Sequence, residues 1–419
     1  MPPQRSPGSP DRGQAGVDYV AVLLLVVVVL GAAGIAADGS AIAQSVDHQL
    51  LRALCVVRGG ECQQDRAPCA VDTDRREDAA SARILVFRVG GDKTIIREER
   101  SNGTIAITVA YGKQAGIEIA EGVHFAVSLG HGGIGLGGEL TASAVATSEH
   151  GLTWIMREPA AADALIARLG VSRGELERQV AAGRLQAPTQ RYDQGGAAVT
   201  GGVSRGRGTL ALTSDDVAGT RTDASTGRRT LYVQRTVEGV LSLTGGVGGL
   251  TGSRRTRERY AVTYDRAGHP VDLMVMTAGR YRVSMDLPAR LQPAVGLLSV
   301  PTGHARTYVE ETHLDLTDPE SLRVAVAFMH QVRHPDAVDS ASVTIADALR
   351  RRLDAVGVVH ARTYDADERR YGIDASVGLK GIRIGGQVSR TLEDSHLVAA
   401  TTRGLDGVWR KRADCLTRI

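Results

Sequence analysis

Three stretches of this 419-residue chain place side chains at spacings that can do chemistry. Gly202-Val203-Ser204-Arg205-Gly206 matches G-x-S-x-G, the elbow in which a sharp strand-to-helix turn presents a serine nucleophile. The residues after it, Arg207–Thr213, have no helical period, so Ser204 is expected inside a β-run. His330 and His334 stand four apart, which on a helix gives two imidazoles on one face, as in a zinc site. Gln331 occupies the place of a metalloprotease glutamate, and nothing marks His313 or Glu310 as a third ligand. Two solvated histidines near a helix C-terminus, favoured by its dipole, are the simpler account. Gly130-His131-Gly132-Gly133-Ile134-Gly135 fits G-x-G-x-x-G, but β-like residues follow where a pyrophosphate needs a helix N-terminus. No catalytic residue, cofactor site or metal site is therefore expected.

The cysteines and the basic clusters carry less chemistry and more architecture. Cys55, Cys62, Cys69 and Cys415 are even in number and lack zinc-like spacing, so two disulfides in an oxidising space are expected. The pairing expected is Cys55–Cys62, across the turn at Gly59-Gly60, with Cys69–Cys415 joining the two ends of one domain. Cys62–Cys69 with Cys55–Cys415 is the competing arrangement. Arg350-Arg351-Arg352 and Arg254-Arg255 with Arg257 read as solvated faces, with an anionic envelope surface as the other option. The net charge of +3 gives no ground for a nucleic-acid partner.

The elements that must position these residues are mostly strands. Period-two alternation dominates residues 83–156, 189–309 and 358–414. Ser101-Asn102-Gly103 is a hairpin turn, and glycine-rich joints recur at Gly132–Ser143, Gly239–Ser253 and Gly372–Ser389. Helical spacing appears over Pro159–Leu185, interrupted near Gly170, and over Ser342–Val356. Asp318-Pro319-Glu320 opens a further helix, with the aspartate at its N-cap. With aromatics at 4%, a core has to be built from Val, Leu, Ile and Ala. The expected class is α+β: a large, mostly antiparallel, twisted sheet with a few helices packed on one side.

Ahead of this lies Val20–Ala37, an uncharged run long enough to cross a bilayer as a helix, with Arg5 and Arg12 before it and Asp38 after it. Gly13-Gln14-Ala15-Gly16-Val17-Asp18-Tyr19 and this run resemble the leader of Flp-type and TadE-type pilins, over about the first 40 residues. The resemblance implies cleavage between Gly13 and Gln14 by a prepilin peptidase, with Asp18 the fifth residue of the mature chain and Tyr19 the aromatic beside it. The rest resembles exported actinobacterial proteins. The expected organisation is a cytoplasmic leader at 1–13, a membrane helix and its extension at 14–58, a cysteine loop at 59–80 and an extracytoplasmic β-rich domain at 81–419. The expected function is that of a single-pass, membrane-anchored structural or interaction protein, not an enzyme. The bilayer, a prepilin peptidase and a Tad-like pilus or secretion system are its expected partners. A lipid- or glycan-binding module using the concave face of the sheet is the alternative, and an envelope hydrolase a further one.

Overall fold

The structure, a computed structural model, describes residues 68–84, 87–119, 139–205, 208–245, 248–286, 301–333, 340–379 and 382–416. Val20–Ala37, the leader residues Gly13, Gln14, Asp18 and Tyr19, and Cys55 and Cys62 lie outside them.

Twelve long strands run in sequence order, each antiparallel to the next: β1 (Ala70–Ile84), β2 (Phe87–Arg100), β3 (Ile105–Ile119), β4 (Glu139–Met156), β5 (Gln190–Arg205), β6 (Gly208–Asp223), β7 (Arg229–Gly245), β8 (Gly248–Tyr264), β9 (Pro270–Asp286), β10 (Pro301–Asp315), β11 (Val358–Leu379) and β12 (Ile382–Arg403). β12 then pairs with β1, from Asp72↔His396 to Ile84↔Ile384, and the sheet closes. The expected open sheet is thus corrected to an up-and-down β-barrel. The reason is long-range: the pairing that removes both free edges joins residues some 300 positions apart, beyond the reach of any local pattern. A short β13 (Trp409–Lys411) pairs with β12 at Thr401–Arg403, past the start of β1. Twelve strands about 4.8 Å apart, tilted about 35–45°, make a ring roughly 24 Å across between backbones.

Tight turns close one end. At the β2–β3 turn Arg100 N–H donates to the Thr104 carbonyl at 2.9 Å, and Gly103 takes the left-handed conformation, φ +73°, that glycine tolerates. Two helical excursions leave the same end and fold back along the outer wall. α1 (Pro159–Arg168) and α2 (Arg173–Ala181) join β4 to β5; α3 (Pro319–Arg333) and α4 (Ser340–Val356) join β10 to β11. Asp318 caps α3 through Ser321 N–H at 2.8 Å, and Arg352 of α4 bonds the same Oδ2 at 2.6 Å, pinning the two helices together.

The two larger hydrophobic cores therefore lie outside the barrel. Ile105, Ile107 and Val109 of β3 and Leu152 and Trp154 of β4 pack under Ala162, Leu165, Leu169 and Leu176 of α1 and α2. Val262, Leu273 and Leu314 of β8–β10 pack under Val324, Ala325 and Leu349 of α3 and α4. Cys69 and Cys415, in α5 (Ala413–Leu416), form a disulfide with Cα atoms 5.5 Å apart. It sits beside the β1–β12 seam, against Ala400.

No helix among the described residues is long and apolar enough to cross a membrane, which says nothing of crossing by strands. A single-pass protein whose lone helix carries an open sheet, with the signal-anchor and pilin-like description that went with it, is corrected accordingly. The body of the chain is a closed barrel with an apolar outer wall of its own.

Candidate functional site in the barrel lumen

Alternation puts one set of side chains into the lumen and the other on the outer wall, and the two sets differ sharply. Among the described residues most of the large exposed hydrophobic side chains fall on the outside of the barrel, towards the end opposite the helices, while Val326 lies on α3 and Val398, Val408, Trp409 and Leu416 lie near the C-terminal segment. Val388 is 63% exposed, Leu212 58% and Val283 57%; Val89, Val199, Leu210, Leu241, Leu243, Leu250 and Tyr281 are similar. Outward charges pair across strands: Asp78 with Arg390 at 2.6 Å, His150 with Asp193 at 2.5 Å, Asp216 with Arg235 at 2.7 Å, Arg306 with Asp365 at 2.7 Å and, nearer the end opposite the helices, His304 with Asp367 at 3.3 Å; Lys113 on β3 and Arg369 on β11 also lie towards it. Arg254 lies over the Tyr281 ring, 5.3 Å from its centroid. Exposed pairs of this kind add only about 0–1 kcal/mol each. Their position is the informative part, because they bound an apolar belt. On β7 the belt runs from Arg235 to Gly245 and on β12 from Arg390 to Ile382. At about 3.3 Å per residue and a tilt of about 40°, these spans are roughly 20–25 Å tall.

The inward set is polar. Glu149 of β4 accepts hydrogen bonds from the Tyr192 hydroxyl at 2.5 Å and from Gln194 Nε2 at 3.2 Å, both on β5. Gln194 Oε1 in turn accepts from the Tyr232 hydroxyl of β7 at 2.8 Å. Arg259 of β8 donates through Nε and Nη2 to Gln234 Oε1 at 2.9 and 2.6 Å, with its guanidinium 4.9 Å from the Tyr232 centroid. Thr108–Thr153, Thr200–Thr213 and Thr230–Thr263 hydroxyl pairs join neighbouring strands at 2.9–3.0 Å. Gly151 makes room for this network: a Cβ there would meet the Tyr192 ring at 1.8 Å.

Ion pairs narrow the lumen further on. Arg280 reaches Glu393 at 2.9 Å and Glu368 at 3.3 Å, Arg282 reaches Glu368 at 3.1 Å, Arg255 meets Glu238 at 2.5 Å, and Arg362 meets Glu311. Between these pairs and the helical end lies a cavity of about 860 Å³, lined by Arg75, Glu149, Tyr192, Arg221, Arg257 and Arg259 among others. At its outer rim His313 Nδ1 is 3.1 Å from Asp272, and Asp223 closes the β6–β7 turn. Burial would raise the Asp223 carboxyl, but hydrogen bonds from Ser225, Gln190 and the Thr226 and Ser225 amides outweigh it and hold the group at about 2.

The residues singled out from the sequence do not assemble here. Ser204 sits within β5, paired by register with Glu139 on one side and Thr209 on the other, so no elbow forms. His330 is on the exposed surface of α3, His334 lies outside the described residues, and no metal-binding group of three appears among those described. Residues 130–135 also lie outside. The Arg254-Arg255-Arg257 cluster is split by the pleat: Arg254 is outward, while Arg255 and Arg257 face the lumen. Sequence reasoning missed the lumen because it expected an open sheet with helices on one side, which has no inside. The polar alternates, such as Tyr192 and Gln194 on β5, were the signal that could have found it.

No protein-family model matches the chain, and no curated protein matches it. Among solved structures, it is similar to the translocator domain of the autotransporter NalP from Neisseria meningitidis, at 10% identity and a TM-score of 0.23, over 85% of this chain and 96% of that one. It is also similar to the transport unit of the autotransporter AIDA-I from Escherichia coli, at 8% identity and a TM-score of 0.24, over 80% and 92%. A third is the Pseudomonas putida toluene transporter TodX, at 8% identity and a TM-score of 0.21, over 79% and 90%. Superpositions at such scores carry no argument for this chain. What rules out the expected functions is the chain's own geometry. The concave sheet face needed by a lipid- or glycan-binding module is instead the polar inside of a closed barrel. The hydrolase lacks its elbow, and the anchored extracytoplasmic interaction module is not the architecture found.

Proposed function

We propose that the chain is a β-barrel membrane protein: its apolar belt faces lipid and its polar lumen is the functional surface, accommodating hydrophilic solutes. The observation that supports this most is the inversion of polarity, with exposed Val, Leu and Tyr outside and Arg, Glu, Gln, Tyr and Thr inside. A barrel folding in water gains nothing from such an outer wall, and contiguous exposed apolar surface of this extent marks an interaction site. A bilayer is the occupant that fits an apolar surface shared by the outer faces of β2, β5–β9 and β12, because a closed barrel satisfies every backbone group within itself. The roughly 20–25 Å height agrees with the ~25 Å apolar band of transmembrane barrels. The charged pairs at its edge sit where headgroups and water begin.

The test is folding of the urea-denatured chain by dilution into phosphatidylcholine vesicles. The expected product floats with the vesicles, resists carbonate extraction and migrates faster on unheated than on heated gels. A monomer that folds fully without lipid or detergent and stays off the vesicles would overturn the proposal.

A further inference from the structure

The arginines of the lumen are unevenly provided for. Every carboxylate lining the 860 Å³ cavity is engaged: Glu98 by Arg100 at 2.7 Å, Asp272 by His313, Glu149 by Tyr192 and Gln194, and Asp223 by its turn. Three of the cavity's arginines are not matched in return. Arg259 bonds only the Gln234 amide oxygen, and Arg221 bonds the Gln190 amide oxygen. Arg257 makes no ion pair among the described residues, and its buried Nε has no hydrogen-bond partner. Its strongest electrostatic neighbours are other cations: Arg259, Arg255, Arg75 and Arg280. A buried guanidinium left in this state is costly, and such groups are normally paired or ligated.

We infer that the lumen holds an oxyanion-binding site centred on Arg257 and Arg259, taking a phosphate- or carboxylate-class group. The two arginines are two positions apart on β8 and so lie on the same face, with Cα atoms about 6.6 Å apart. From there the Arg257 fork and the Nη1 side of Arg259, which Gln234 does not use, can converge on one tetrahedral or planar anion, the chemistry for which guanidinium is suited. The Tyr232 ring holds the Arg259 fork in place. Asp215 of β6 is the acid opposing Arg257, while Glu311 and Glu149, both engaged by other side chains, act on Arg259. Asp215 lies in register with Arg257 across Thr236 of β7, and its buried Oδ1 also lacks a partner. Its repulsion sets a ceiling on affinity and supplies a specific test. The inference rests on the closed lumen and not on insertion into a bilayer.

Inorganic phosphate is the probe, titrated by calorimetry into the full-length protein folded in neutral detergent. Saturable binding is expected, weakened about tenfold or more by Arg257→Gln, the equivalent of about 1.4 kcal/mol. Asp215→Asn should tighten it, and Arg254→Gln, on the outer wall, should leave it unchanged. Without phosphate, Arg257→Met should raise the melting temperature, because it removes an unpartnered buried charge. Phosphate should raise the melting temperature of the parent protein and not of this variant. The absence of saturable binding, equal binding by Arg257→Gln, or chloride competing as well as sulfate would each overturn the oxyanion site. If vesicle insertion fails and phosphate still binds, the membrane proposal falls and this one stands.

Discussion

Leu241→Arg is the substitution that separates a lipid-facing belt from an exposed surface in water. Leu241 lies on the outer wall of β7, in register with Leu210 and Gly252, and is 49% exposed. It is six residues from Arg235 at the girdle and four from Gly245 at the strand end, so it sits roughly 15 Å from one edge of the belt and 10 Å from the other. That is near mid-depth. An arginine at the midplane of a transmembrane barrel costs about 2–4 kcal/mol, falling to about 0–1 near the interface. Val237→Arg, two residues from Arg235, should therefore cost far less than Leu241→Arg. The assay is reversible urea titration in vesicles, followed by tryptophan fluorescence. A loss of about 2–4 kcal/mol corresponds to a roughly 30- to 700-fold fall in the folded-to-unfolded ratio. In water the same exchange at an exposed site changes stability by no more than about 0.5 kcal/mol. Equal, small effects at positions 237 and 241 would refute the lipid-facing assignment.

Three further outcomes are expected. Trp154→Ala should cost about 3–5 kcal/mol in the same titration, because it empties a fully buried site under α1 and α2 and frees the Gln186 carbonyl that accepts from Nε1 at 2.8 Å; a loss below about 1 kcal/mol would mean the helices do not pack as described. Hydrogen bonds from Ser321 and then Arg352 hold the Asp318 carboxyl below its ordinary value, so its contribution is complete above about pH 3.9 and is lost as pH falls through the lower, folded value; Asp318→Asn should flatten that acid limb, and an unchanged limb would count against the cap. Reducing Cys69–Cys415, which spans 346 positions, removes a constraint worth about 5–6 kcal/mol in the chain-entropy estimate, so the urea midpoint should fall; an unmoved midpoint would show that the bond contributes nothing.

Much of the local structure was legible because its causes are local. Asn102-Gly103 supplies the left-handed residue that its hairpin needs, Asp318-Pro319 supplies a cap and a first turn, and the break near Gly170 separates α1 from α2. Closure was not legible, since nothing in β1 or β12 alone names the other as its partner. Nor was the direction of burial. Period two shows that a strand has two unlike faces, but it does not say which face meets solvent. On β6, Leu210 and Leu212 alternate with Ala211 and Thr213 whether the barrel sits in water or in lipid. The arginines were visible as a cluster, but only register around the ring shows that Arg257 and Arg259 share a cavity with so few free acceptors.

The seam between β1 and β12 has a consequence for how the chain is made. Among the described residues β1 is the first long strand to leave the ribosome and β12 the last, so the lumen does not close until β12 has been synthesised. Until then β1 and the newest strand both present bare edges, and each is a template for pairing with another chain. A slip of one residue at the seam would also turn the two faces of a strand inside out, placing Asp78 within and Glu77 without. Biogenesis should therefore depend on a holding chaperone that shields about 300 residues of unfinished sheet. Nonsense mutations just before residue 382 should yield aggregates instead of smaller barrels.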